Sequence, residues 1–141
     1  MDYLDFVHDL PLEDYIRPDP ALDEMLAGLP ARKSIFTNSD ANHARRVLDR
    51  LAIAHHFDPI VDIWALNFAN KPKPEAYRAL LDRLGAQAAE CVFVEDSLRN
   101  LRGARAAGMK TIWIHPTEAS DEVDFVVRRV HEIGPIIHGR L

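Results

Sequence analysis

A second cysteine is missing from this chain. Cys91 stands alone among 141 residues, which excludes an intrachain disulfide and a cysteine-based zinc site. It lies in the apolar run Cys91-Val92-Phe93-Val94 and reads as a small core residue. Long hydrophobic runs are missing as well: no stretch approaches the ~18–20 consecutive apolar residues that cross a bilayer. The start, Met1-Asp2-Tyr3-Leu4-Asp5, is acidic and has neither the basic nor the apolar region of a signal peptide. A cytoplasmic address is expected, with no membrane partner. Positive charge is in deficit, 17 Lys and Arg against 22 Asp and Glu for a net charge of −5. That argues against a nucleic-acid partner, which needs a basic footprint. Arg99, Arg102 and Arg105, with Lys110 beyond, form a local stripe at helical spacing and read as a solvated helix face. Repeats and low-complexity tracts are absent.

What is present suits one compact domain, 48% hydrophobic and large enough to bury a core. The first 30 residues are broken by Pro11, Pro18, Pro20 and Pro30, and Arg17-Pro18-Asp19-Pro20 reads as an extended connector. Asp19 is placed to cap a short helix from Pro20 to about Gly28. A regular alternation follows. Lys33–Thr37 is a short strand, and Ala41 to about Leu51 a helix with Ala44, Val47, Leu48 and Leu51 on one face. Pro59–Ile63 is a second apolar run, and Glu75–Leu84 a helix stopped by Gly85. Cys91–Val94 is a strand, Leu98–Ala107 a helix stopped by Gly108, and Thr111–His115 and Phe125–Val127 are further strands. Gly134–Leu141 carries no clear pattern. Strands alternating with helices of about ten residues imply an α/β fold, a parallel sheet wrapped by helices.

In such a sheet, ligands gather at the carboxyl ends of the strands. Three polar sets fall there or on adjoining loops: Thr37-Asn38, Lys71, and Glu95-Asp96. Thr37 offers a hydroxyl, and the backbone N–H groups that follow open a helix, a natural phosphate cradle. Lys71 can neutralise a phosphoryl group. Glu95 and Asp96 are adjacent carboxylates that suit a hard cation such as Mg²⁺ and repel each other without one. Singly, each set has an ordinary alternative, since Thr-Asn caps many helices and Lys-Pro is a common dipeptide. Their order along the chain is the more specific signal. The histidines show no ligand spacing. His55 and His56 are adjacent and are expected to point apart at a solvated helix end, Trp64 to pack in the core or a loop, and Trp113 to lie in the core.

The ordered set Ile35-Phe36-Thr37-Asn38, Lys71-Pro72-Lys73-Pro74-Glu75-Ala76-Tyr77 and Val92-Phe93-Val94-Glu95-Asp96-Ser97, with Asn100 and Gly108-Met109-Lys110 following, resembles the second, third and fourth motifs of the haloacid dehalogenase-like hydrolases. The flank Val7–Tyr15 with Arg17–Pro20 is similar to the pyrimidine 5′-nucleotidase branch. The resemblance implies a three-layer Rossmann-like core over residues 18–141, with residues 1–17 a remnant of a helical cap and its return connector. It implies a Mg²⁺-dependent phosphate-monoester hydrolase acting on a small phosphorylated metabolite or nucleotide. Thr37 would hydrogen-bond a phosphoryl oxygen, Asn38 orient substrate, and Lys71 bridge phosphate and nucleophile. Asp96 would ligate the metal and Glu95 would act through water.

One motif of that family has no counterpart. No two aspartates stand two residues apart anywhere in the sequence, so the Asp-x-Asp-x-Thr strand that supplies the family's nucleophile is not found. Asp9 fails as a substitute because Pro11 stands where the second aspartate belongs. The expectation is an N-terminally truncated core lacking its central strand and most of the cap, inactive as an isolated chain. The central position would be filled by residues near Tyr3–His8, by direct pairing of the strands ending at Thr37 and Asp96, or by a second chain in a homo-oligomer or strand-exchanged dimer. The alternatives are a non-catalytic binding or scaffold protein and a half-enzyme completed in trans.

Overall fold

The computed structural model describes residues 12–140, with the Arg140 side chain excepted. The Asp9 candidate, the Tyr3–His8 segment and most of the proposed cap remnant lie outside the described residues. The described strands are all parallel and form two sheets. The chain divides into two compact units at Asp62/Ile63, each holding one sheet.

In the first unit, a 3-10 turn at Leu12–Asp14 buries Leu12. Helix α1, Pro20–Gly28, begins as its sequence dictates: Pro20 fixes the first turn and the Asp19 carboxylate accepts the Leu22 N–H at 3.0 Å. Leu22 and Leu26, four apart, are its buried stripe. Strand β1, Lys33–Phe36, pairs with β2, Phe57–Val61, in the register Ile35↔Ile60 and Phe36↔Val61. Helix α2, Ala41–Arg50, makes the crossover between them and buries Leu48 alone of its four expected core residues. The second apolar run therefore starts at Phe57, two residues before the expected position, and ends at Val61.

The second unit begins with a loop and helix α3, Pro74–Leu84, whose Ala76, Tyr77 and Leu80 are buried. Gly85 ends it at φ 61°, the left-handed region a glycine enters without steric cost. Strands β3, Val92–Glu95, β4, Lys110–Ile114, and β5, Phe125–Val127, pair in that order. Helix α4, Leu98–Ala106, packs on β3 and β4. Leu101 and Ile112 are fully buried there, each contributing about 1.5–3 kcal/mol over an exposed position. The C-terminal stretch without a clear pattern is helix α5, Ile133–Arg140.

Among the described residues, β1 has β2 as its ladder neighbour and β3 has β4. Each is joined to that partner by its own helical crossover, which puts sequence-adjacent strands side by side.

Candidate functional site

Three of the sequence-derived site residues meet in the second unit. Lys71 stands on the loop before α3, and Glu95 and Asp96 at the carboxyl end of β3. The Lys71 Nζ donates to Glu95 Oε2 at 2.7 Å, with the two side chains 9% and 13% exposed. That same ammonium lies 5.5 Å from the centre of the Phe93 ring, within range of its electron-rich face.

Every lone-pair direction of Glu95 is in use. Oε2 also accepts from Asn100 Nδ2 at 3.1 Å, and Oε1 accepts the backbone N–H groups of Asp96 at 3.0 Å and Ser97 at 3.4 Å. Burial works to raise the Glu95 carboxyl. Hydrogen bonds from Asp96 and Lys71, the Lys71 charge, and Asn100 outweigh it and bring it down to about 2. Asp96 moves the opposite way, held above the ordinary carboxylate range by its hydrogen bond to Glu95, by burial and by the Glu95 charge.

This division bears on which cation the pair suits. Two adjacent carboxyls, one of which carries its charge at a cost, form an oxygen donor set that suits a hard divalent ion. Glu95 is already saturated with donors, whereas the Asp96 residue is exposed. The donor set thus fits a hard divalent cation such as Mg²⁺, and Asp96 is the carboxylate left open to solvent.

A second layer, which single-residue reading did not assign, holds this geometry. Tyr77 is fully buried and donates its hydroxyl to the Asn100 carbonyl at 2.6 Å. Its phenol is pushed up to about 12, by burial first and then by the Glu95 charge. Gly103 makes room for that ring, since a Cβ there would lie 2.5–2.7 Å from the Tyr77 ring and hydroxyl. Trp113 is core, as expected, and its Nε1 also donates to the Asp96 carbonyl at 2.8 Å. The signal available for Tyr77 was its place in the Lys71–Tyr77 stretch; nothing local marks Gly103 as its partner. Cys91 is half-buried rather than core. Its thiol is raised by burial and by Glu90.

Thr37 and Asn38 belong to the first unit. The Thr37 N–H donates to the Val61 carbonyl at 3.0 Å, extending the β1–β2 ladder by one bond, and Thr37 Oγ1 accepts the Ser39 N–H at 3.0 Å. Asn38 is exposed. The expected cradle of helix N–H groups is partly committed. Ala41 N–H donates to Asp62 Oδ2 and His43 N–H to Asp40 Oδ1, both at 2.9 Å. Asp62, only 8% exposed, is a carboxylate that a reading of apolar runs had absorbed into the strand.

The other expectations divide. Trp64 is 60% exposed and meets the equally exposed Phe68 edge-on at 4.7 Å between ring centres, so it packs within its loop and not in a core. Arg102 pairs with Glu122, and Arg105 donates to the Asp121 carbonyl at 2.9 Å, so the exposed arginine stripe ties α4 to the loop before β5. His55 and His56 do not point apart. Both occupy a single 3-10 turn, Ala54–His56, in which their rings can tilt toward the same side.

Comparison with known proteins identifies relatives of this chain. A phosphatase of Mycobacterium tuberculosis is 30% identical over 140 residues, covering 99% of this chain and 60% of that protein. The fructose-1-phosphate phosphatase of Escherichia coli is 31% identical over 109 residues, 77% of this chain and 53% of that one. A haloacid dehalogenase-like phosphatase structure from Thermococcus onnurineus superposes with a TM-score of 0.74 at 27% identity, over 99% of this chain and 65% of the other. The L-2-haloacid dehalogenase of Xanthobacter autotrophicus shares the fold, with a TM-score of 0.80 at 19% identity, covering 100% of this chain and 69% of that one. The chain spans little more than half the length of these two phosphatase sequences. The family model for haloacid dehalogenase-like hydrolases matches residues 2–108, a span that holds all three motifs, and this chain belongs to that family.

Proposed function

We propose that this chain carries the phosphate- and cation-binding part of a Mg²⁺-dependent phosphate-monoester hydrolase acting on a small phosphorylated metabolite. The observation that carries the reading is the Lys71–Glu95–Asp96 cluster, a nearly buried ammonium held 2.7 Å from one carboxylate, beside a second carboxyl whose charge is disfavoured. The relatives named as phosphatases support the same reaction class.

Each residue has a role that follows from its surroundings. Asp96 would hold Mg²⁺ directly, and Glu95 would act through water while holding Lys71 in place. The ion would supply electrostatic stabilisation of charge on the phosphoryl group. Lys71, aimed by its 2.7 Å contact with Glu95, would neutralise a phosphoryl oxygen. Thr37 would donate its hydroxyl to another while still accepting from Ser39, since a hydroxyl both donates and accepts. Asn38, exposed beside it, would orient the remainder of the substrate. A nucleotide in the manner of the pyrimidine 5′-nucleotidase branch belongs to the substrate panel to be tested.

No Asp-x-Asp pair occurs in these 141 residues, so the chain by itself is expected to bind without turning over. The nucleophile would come from a strand supplied by a different chain that bears the Asp-x-Asp motif, whereas self-association of this chain would fill the central strand position without supplying it. The test is phosphate release from p-nitrophenyl phosphate and pyrimidine monophosphates, with Mg²⁺ titrated by calorimetry. The expected result is Mg²⁺ binding that Asp96→Asn abolishes, with no turnover. Turnover by the isolated chain that Asp96→Asn removes would overturn the inactivity. Mg²⁺ binding unaffected by that substitution would overturn the site.

A further inference from the structure

Asp23, His55 and His56 form a second cluster in the first unit, away from every motif residue in sequence. Asp23 lies in the first turn of α1, and the histidines form the 3-10 turn that leads into β2. Asp23 Oδ1 lies 2.6 Å from His56 Nε2 and 3.1 Å from His55 Nε2, and the three atoms all fall within 4.8 Å of one another. The turn sits at the amino end of β2, whereas Thr37 and Asp62 sit at the carboxyl ends of β1 and β2. Within this unit the cluster therefore lies at the opposite strand ends from Thr37 and Asp62.

We propose that Asp23, His55 and His56 form a binding site for a transition-metal ion of the zinc class, which clips α1 to the start of β2. Both Nε2 atoms converge on one carboxylate oxygen, with the two ring centres 4.0 Å apart. An imidazole Nε2 can present a lone pair in place of a hydrogen, so the same three atoms form a converging donor set that a cation between them would engage at once.

The spacing also suits such an ion. Tetrahedral ligands at Zn–N and Zn–O distances of about 2.0–2.2 Å are about 3.3 Å apart, a separation these three atoms reach by small side-chain rotations. Two imidazoles and one carboxylate select zinc-like ions over Mg²⁺ or Ca²⁺, which prefer oxygen alone. His56 is 10% exposed and gives the site a fixed floor, while His55 and Asp23, 64% and 44% exposed, leave an entry path from solvent. The ion would join residues 33 positions apart in sequence, closing a long loop and stabilising the folded unit.

The experiment uses the full chain, without an affinity tag and stripped with chelator, titrated with Zn²⁺ by calorimetry and with Co²⁺ by visible absorption. One Zn²⁺ per chain is expected at a Kd of about 1 µM or tighter, with a rise in melting temperature. Outer-shell changes cost ~10–100-fold in metal affinity, so loss of a direct ligand in His55→Ala or Asp23→Asn should cost about 100-fold or more. Both should also remove the metal-dependent rise in melting temperature. His55 is exposed, so His55→Ala should keep the native circular dichroism even where Asp23→Asn does not. Absence of Zn²⁺ binding by the native chain would overturn the proposal. So would a loss in His55→Ala smaller than about tenfold, which would place the ion on other histidines.

Discussion

The two units solve one problem by different means. Each brings polar groups to the carboxyl end of a parallel strand, where backbone and side chains must be satisfied. In the first unit the solution is neutralisation by backbone donors: Asp40 and Asp62 take the N–H groups that open α2. In the second it is a charge pair, Lys71 on Glu95, surrounded by three further donors to the same carboxylate. The first arrangement resembles an ordinary helix start with an added buried carboxylate. The second confines unlike and like charges together, and leaves Asp96 in a state that a cation would improve. That difference is why the proposed cation site is assigned to the second unit.

The most severe way to break the comparison is Lys71→Met. It keeps the side chain's length and leaves Glu95 without its cation, at an expected cost of about 3 kcal/mol in urea unfolding at neutral pH. The pH dependence sharpens the same point. The Glu95 folded value of about 2 lies below its ordinary 4.5. Its contribution is therefore fully present above about pH 4.5 and lost as the pH falls toward 2, at most about 3 kcal/mol. Asp96, shifted upward, acts with the opposite sign and offsets part of this. The expected outcome is a loss of stability below pH 4.5 in the native chain that is visibly smaller in Lys71→Met.

Gly103→Ala comes next. The new methyl would drive the Tyr77 ring from its place against Asn100, at about 2 kcal/mol. It should also weaken Mg²⁺ binding, because Asn100 supports Glu95. In the first unit, Asp62→Ala removes the acceptor of the Ala41 N–H and should cost about 1–2 kcal/mol without any change in Mg²⁺ affinity. Equal loss of Mg²⁺ binding in both variants would erase the distinction between the units. The smallest effect is Asp96→Asn, which relieves the clash of carboxyls and should stabilise the chain by about 1 kcal/mol while abolishing Mg²⁺ binding. Stability without function is what a site residue predicts and a structural residue does not.

Much of the fold was legible because its signals are local. Asp19 before Pro20 and Gly85 after Leu84 mark helix ends through a side-chain oxygen and a backbone angle that need no distant partner. The alternation of strands and helices pointed to parallel ladders for the same reason. Lys71, Glu95 and Asp96 could be singled out because strand ends are recognisable in one dimension. Two kinds of feature stayed hidden. Asp62 looked like part of an apolar run, and its burial as a cap on Ala41 depends on a helix 21 residues earlier in the chain. His55 and His56 seemed divergent because a helical turn of 100° per residue was assumed. The 3-10 turn and the position of Asp23 bring both ring nitrogens to one oxygen.

The sequence by itself thus determined the family, the element order and the second unit's charged residues, all of which follow from neighbours along the chain. Only the tertiary structure decided that Glu95 would be saturated and Asp96 left exposed. It also decided that Tyr77 would press on Gly103 and that Asp23 would meet two histidines. Those outcomes depend on distances between residues that the chain order leaves unspecified, and on burial, which sets how much each charge costs and which partner it must find.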